Sequence, residues 1–120
     1  MADLEAVAPA TFEAFSTLDI RAGRVVAATD FREARKPAIK LQIDFGPQIG
    51  ILQSSAQLTR HYDPAALVGT EVLAVVNLPP RRIAGFKSQV LVLGVVNPSD
   101  PEEVVLVRPD RTGTAGWRLG

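Results

Sequence analysis

The stretch Ile39-Lys-Leu-Gln-Ile-Asp-Phe-Gly-Pro-Gln-Ile-Gly-Ile-Leu-Gln53 decides the fold of this chain. Ile39, Leu41, Ile43 and Phe45 alternate with Lys40, Gln42 and Asp44, a strict period of two. Successive side chains of a strand point to opposite faces, so this alternation predicts one face in a core and one in solvent. Gly46-Pro47 then reads as a turn and Ile49 to Gln53 as a returning strand, which makes the pair a hairpin.

Outward from this hairpin the same grammar continues. Upstream, Leu18 to Ala28 reads as a strand carrying Ile20, Val25 and Val26, with Gly23 marking a bulge or sharp bend. Before it, Phe12 and Phe15 are spaced for one side of a short helix after Pro9. Downstream, Ser54-Ser-Ala-Gln57 fits the start of a helix, with Ser54 as cap and Gln57 completing a capping box. Asp63-Pro64 restarts the chain as cap and first helical residue, and Gly69 is the stop. Val72 to Val76 and Val90 to Val96 read as buried strands and Val104 to Val107 as a last edge. Three strands, a helical insert, then two or three strands is the order of an OB-fold. The expected architecture is therefore all-β: a five-stranded OB-fold barrel with a short helical insert between strands 3 and 4 and a short N-terminal helix. An SH3-like barrel competes, but it has no need of the insert between Ser54 and Gly69. The 120 residues fit one domain, expected over 12–120, with 1–11 as a flexible N-terminal tail.

Apolar residues make up 47% of the chain and mean hydropathy is +0.14. Two readings fit this apolarity: a Val-rich core, or a surface covered by a partner such as a second copy. There is no cysteine, which excludes disulfides and thiolate metal sites. The N-terminal segment carries Asp3, Glu5 and Glu13 and no basic residue before Arg21, unlike a secretory signal. No apolar run approaches the length that crosses a bilayer as a helix. A cytoplasmic location is expected. The 13 basic and 13 acidic residues cancel, but they are segregated. From Val72 to Ser99 there is no acidic residue, while Arg81, Arg82 and Lys87 fall inside that window.

Catalytic patterns are missing. His61 is the single histidine, with Asp63 the one nearby acid in sequence, and it reads as a surface residue. Ser54 and Ser55 lack the Gly-x-Ser-x-Gly setting of a hydrolase nucleophile. Neither a Walker A nor a Gly-x-Gly-x-x-Gly pattern occurs. The expectation is a binding protein, not an enzyme, with no cofactor and no metal.

The segment Asn77-Leu-Pro-Pro-Arg-Arg-Ile-Ala-Gly-Phe-Lys-Ser88 joins two buried strands. Pro79-Pro80 stiffens its entry, Arg81-Arg82 presents two guanidinium forks, and Gly85 permits close backbone approach. Such a loop suits phosphate contact; a hairpin whose charges only keep it soluble fits the local pattern equally well. The blocks Leu18-Asp-Ile-Arg-Ala-Gly-Arg-Val, Pro37-Ala-Ile-Lys-Leu-Gln-Ile-Asp-Phe-Gly, Gln53-Ser-Ser-Ala-Gln and Val75-Val-Asn-Leu-Pro-Pro-Arg-Arg-Ile-Ala-Gly-Phe-Lys-Ser resemble the CsaA family. These proteins are bacterial relatives of the tRNA-binding domain appended to some aminoacyl-tRNA synthetases. The resemblance runs from about Phe12 to the C-terminus. It implies an OB-fold, a homodimer, a surface for folded tRNA, and a protein-export chaperone role toward unfolded or pre-secretory polypeptides.

Carried over by position, the resemblance implies Arg81, Arg82 and Lys87 as phosphate-binding residues, with Ser88 and Gln89 at the loop's end. Arg35, Lys36 and Lys40 are weaker additions. Ser54, Ser55 and Gln57 match the family's serine-containing turn and would shape the site, as would Gly85. Aromatics are only 6% of the chain. Phe86 and Tyr62 are the plausible exposed platforms, which favours a folded RNA over a single strand stacked base by base. Phe12, Phe15 and Trp117 are assigned to dimer or peptide contact. A dedicated peptide-binding chaperone with incidental RNA binding is the alternative function.

Overall fold

The computed structural model describes residues 7–120. Of the expected N-terminal tail, residues 1–6 lie outside the described residues. The element order is α1 (Phe12–Ser16), β1 (Ile20–Asp30), β2 (Ile39–Asp44), β3 (Ile51–Ala56), α2 (Pro64–Leu67), β4 (Glu71–Val75), β5 (Arg81–Ile83), β6 (Phe86–Ser88), β7 (Leu91–Val92), β8 (Gly94–Asn97) and β9 (Asp100–Leu106). The main sheet runs β3-β2-β1-β4-β7, every pairing antiparallel. β7 and the residues before it curl back on β3, where Gln89 N–H donates to the Gln53 carbonyl at 2.8 Å. This is a nearly closed five-stranded OB-fold barrel, with α1 before it and α2 inserted between β3 and β4.

The period-two reading of β2 holds: Ile39, Leu41, Ile43 and Phe45 are all buried. They pack with Val25, Leu67, Val72 and Val90 in one core. The long β1 is shared by both halves of the barrel, pairing through Arg24–Asp30 with β2 and through Ile20–Arg24 with β4. Its bulge falls between Val25 and Ala27, not at Gly23. Gly23 serves a different need, because a Cβ there would lie 2.6 Å from Ile43 and from the Phe45 ring.

Three local expectations are corrected. Ser54 does not cap a helix. It lies inside β3, buried, and its hydroxyl donates to the Val90 carbonyl at 2.9 Å. The pairing Leu41 with Ser54 and Ile39 with Ala56 prolongs the hairpin past the serines, so helix begins only after Asp63, with Pro64 in the first turn. The run Val90 to Val96 is not one strand. Leu93 N–H turns to the Leu73 carbonyl, and from Gly94 the chain leaves β4 to pair with β9. Gly94 permits that crossing, since a Cβ there would meet Val104 at 2.5 Å. β9 also starts earlier than expected, at Asp100.

No helix is long and apolar enough to cross a membrane among the described residues.

Candidate nucleic-acid interface

The stretch expected as a basic loop is a second hairpin. β5 and β6 pair Arg81 with Ser88, Arg82 with Lys87 and Ile83 with Phe86, leaving Ala84 and Gly85 as a two-residue turn. Both turn residues have positive φ, +46° and +82°, as a type I′ hairpin requires. Gly85 is therefore needed for its left-handed backbone and not for close approach, because nothing lies within 4 Å of where its Cβ would be.

Strand alternation sorts the hairpin's side chains. Arg82 and Lys87 are directly opposite each other and exposed, on the face away from Ile83 and Phe86. Like charges placed opposite across a ladder destabilise it. Neither has a carboxylate partner, and among the described residues Arg81, Arg35, Lys36 and Lys40 have none either. Arg82 reaches only the Gly85 carbonyl, at 3.5 Å. The other face carries Arg81, Ile83 and Ser88, which line a half-enclosed cavity of about 140 Å³ with Ser55, Leu78, Val90 and Leu91.

Side chains, more than a backbone ladder, hold the hairpin's base against β3. Ser88 Oγ accepts from Ser55 N–H at 3.0 Å, and Gln89 Oε1 accepts from Gln53 N–H at 3.0 Å. Gln53 Nε2 donates to the Lys87 carbonyl at 2.8 Å, and Ser54 adds its bond to Val90. The side chains of Gln53, Ser54, Ser88 and Gln89 thus form the barrel's seam with the Gln53 and Ser55 amides, replacing rungs that a regular strand pair would supply. Gln57 lies beyond β3 and lines a small depression with Lys36 and Pro37.

The loop between β1 and β2, residues 31–38, stands beside this hairpin. Phe31 is buried and meets Phe86 edge-on with ring centroids 5.4 Å apart. Lys40 Nζ sits over both rings, 4.6 Å from the Phe31 centroid and 5.1 Å from that of Phe86. Arg32, Arg35 and Lys36 on this loop are exposed. Two basic loops therefore flank the outer face of β2 and β3, the position where OB-folds take oligonucleotides. Phe31 and Arg32 were missed in the sequence, where the loop carried no pattern to single them out.

Neither expected platform is a free ring. Phe86 is half-buried against Phe31, and Tyr62 packs on the core while its hydroxyl accepts from Leu106 N–H at 3.0 Å. His61 is at the surface as expected, but the fold brings Glu103 to its Nε2 at 2.7 Å. Among the described residues no three His, Cys, Asp or Glu side chains gather as a metal site.

A separate apolar region lies where α1 meets the C-terminal residues. α1 buries none of its residues; Phe12 is 80% exposed, and its ring is 6.2 Å from that of the more sheltered Phe15. With Leu18 and Leu119 they line a shallow cavity of about 320 Å³. Trp117, 67% exposed, lines a different depression with Pro47 and Ile49.

Residues 20–118 match the family described as "Putative tRNA binding domain". The chain belongs to the tRNA-binding domain family. Within it, two solved chaperones are similar over nearly the whole chain. CsaA of Bacillus anthracis str. Ames shares 52% identity at a TM-score of 0.88, covering 94% of this chain and 100% of that one. CsaA of Picrophilus torridus shares 43% at 0.84, covering 93% and 100%. This tRNA-binding domain is thus closely related to the CsaA chaperones. Methionine–tRNA ligase of Chlorobium chlorochromatii is 38% identical over 88% of this chain, but over only 14% of its own length. The chain spans about 14–15% of the curated ligases it matches.

Proposed function

We propose that this protein is a dimeric, non-catalytic binding module that grips the phosphate backbone of folded tRNA through its two basic loops. The observation that carries this reading is the unpaired cross-strand couple Arg82 and Lys87 on an exposed hairpin. An arrangement that costs stability in the free protein is relieved when an anion bridges the two cations. Arg81 adds a third cation at the hairpin's base, and Arg35 and Lys36 extend the positive rim on the neighbouring loop. That neither Phe86 nor Tyr62 is a free ring fits a folded RNA read by shape and backbone. With so few cations per chain, two copies presenting paired rims would supply affinity that one cannot. A cytoplasmic location agrees with such a ligand.

A second reading, a chaperone for unfolded or pre-secretory polypeptides, draws support from the related CsaA chaperones and from the half-enclosed cavity beside the hairpin. Leu78, Ile83, Val90 and Leu91 offer it an apolar lining and Arg81 a charged rim. One surface could then hold either ligand.

Titration of tRNA at several salt concentrations tests the first reading. Arg81→Ala with Arg82→Ala is expected to weaken binding and to lower the salt slope by about 1.5, since each lost phosphate contact removes roughly 0.7–0.9. An unchanged affinity and slope would remove the hairpin from the site. If the wild-type protein binds no tRNA but suppresses aggregation of an unfolded client at stoichiometric dimer, the chaperone reading replaces it.

A further inference from the structure

The geometry points to Lys40 as a positioning residue that aims the β5–β6 hairpin through Phe31 and Phe86, and not as a phosphate contact. The inference rests on the tRNA reading for its functional consequence, but its structural half stands alone. The hairpin is fixed to the barrel at its base by the hydrogen bonds of Gln53, Ser55, Ser88 and Gln89. Its tip is different: Ala84 and Gly85 are exposed, and no hydrogen bond ties them to the barrel. A two-stranded ribbon held only at its base is free to swing, because an isolated hairpin is marginally stable in water. Beside half-buried Ile83, the contact that restrains the outer half is Phe86, seated edge-on against buried Phe31. Lys40 covers both rings from β2, within the distance at which an ammonium is attracted to an aromatic face. Its charge is already engaged there, and the residue is half-buried instead of standing free in solvent. Phe31 opens the neighbouring basic loop, so one cluster fixes the separation of Arg82 and Lys87 from Arg32 and Arg35. Phosphate spacing on a folded RNA is set by its backbone, and a rim of matching spacing binds without first being ordered.

Three variants of the full chain test this: Lys40→Met, which keeps the stem and removes the charge; Lys40→Arg, which keeps both; and Phe31→Leu, which keeps an apolar side chain and removes the ring. NMR of the free protein should show the Lys40 ε-methylene protons shifted upfield by the two rings, with the shift reduced in Phe31→Leu, where the Phe86 ring remains. Amide exchange at Ile83 to Lys87 should quicken in Lys40→Met and Phe31→Leu and stay at the wild-type rate in Lys40→Arg. Binding of tRNA should weaken about two- to fivefold in either defective variant, the factor that a cation–π contact carries. The double variant should be no worse than the weaker single, because both act through one contact. Lys40→Arg should bind as the wild type does. An absent ring-current shift, or hairpin exchange indifferent to both Lys40→Met and Phe31→Leu, overturns the positioning role even if the protein binds no tRNA. Weaker binding with a lower salt slope for Lys40→Met, and unaltered binding for Phe31→Leu, would instead make Lys40 a phosphate contact. Failure of the wild type to bind tRNA, with both structural readouts as expected, removes the tRNA reading and leaves Lys40 as the residue that aims the hairpin.

Discussion

Glu71, at the start of β4, is the one buried carboxylate among the described residues, 8% exposed. Burial pushes its pKa up, but hydrogen bonds from Gly113 N–H (2.6 Å), Thr114 Oγ1 (2.8 Å) and Thr114 N–H (3.2 Å), with Arg24 nearby, hold it below the usual carboxylate range. These bonds anchor the turn from which Gly116 and Trp117 return to pair with Ala22 on β1. The residue that presents Trp117 is thus forty-six positions away in sequence. Glu71→Gln keeps the shape and removes the charge. It is expected to cost about 1–2 kcal/mol, the worth of hydrogen bonds to an ionised acceptor less those the amide oxygen retains, read as a lower thermal midpoint. Nothing in Thr70-Glu-Val-Leu distinguishes this glutamate from a solvated one, because its partners arrive from the far end of the chain. Gly23 is the contrasting case: its presence mid-strand was legible as a special position, but its reason, the approach of Ile43 and Phe45, was not.

At the scale of elements, the residues Arg60-His61-Tyr62 act as a latch on the β8–β9 hairpin. Arg60 binds Asp100 at 2.7 Å and Glu102 at 3.4 Å, His61 meets Glu103, and Tyr62 takes the Leu106 amide. The hydrogen bond from Arg60 holds the Asp100 carboxyl below its ordinary range. Those from Asn97 and then His61 do the same for Glu103. A carboxyl whose pKa is depressed by folding contributes its stability above its unfolded pKa and loses it as pH falls through the folded value. Amide protection across β8 and β9 should therefore be flat from neutral pH down to the ordinary carboxylate range and fall below it. Arg60→Ala should loosen the same amides at neutral pH, and hydrogen exchange followed against pH checks both. The latch was invisible in the sequence, which placed only Asp63 near His61. The seam was half visible: Gln53-Ser-Ser and Ser88-Gln were singled out, but as a cap and a ligand rim, since side chains that replace ladder bonds have no periodic signature.

For the molecule as a whole, charge and apolarity fall in different places. Exposed cations without a carboxylate partner project from the two loops beside β2 and β3, while Phe12, Phe15 and Leu119 gather where α1 meets the C-terminal residues. If the apolar region joins two copies, Phe12→Ser with Phe15→Ser should yield a folded monomer by light scattering. The variant should also bind tRNA at least tenfold more weakly, through loss of paired rims. The sequence by itself determined the barrel and its strand order, because period-two alternation, turn residues and a proline-started helix are local signals that tertiary contacts did not override. It also marked Arg81, Arg82 and Lys87 as exceptional through the lack of acids around them. Only the tertiary structure decided what those cations face, that Ser54 seals instead of capping, and that Lys40 turns inward to Phe31 and Phe86. Each of these depends on groups brought together by closing the barrel, and contacts made across a closed sheet leave no spacing along the chain from which to read them.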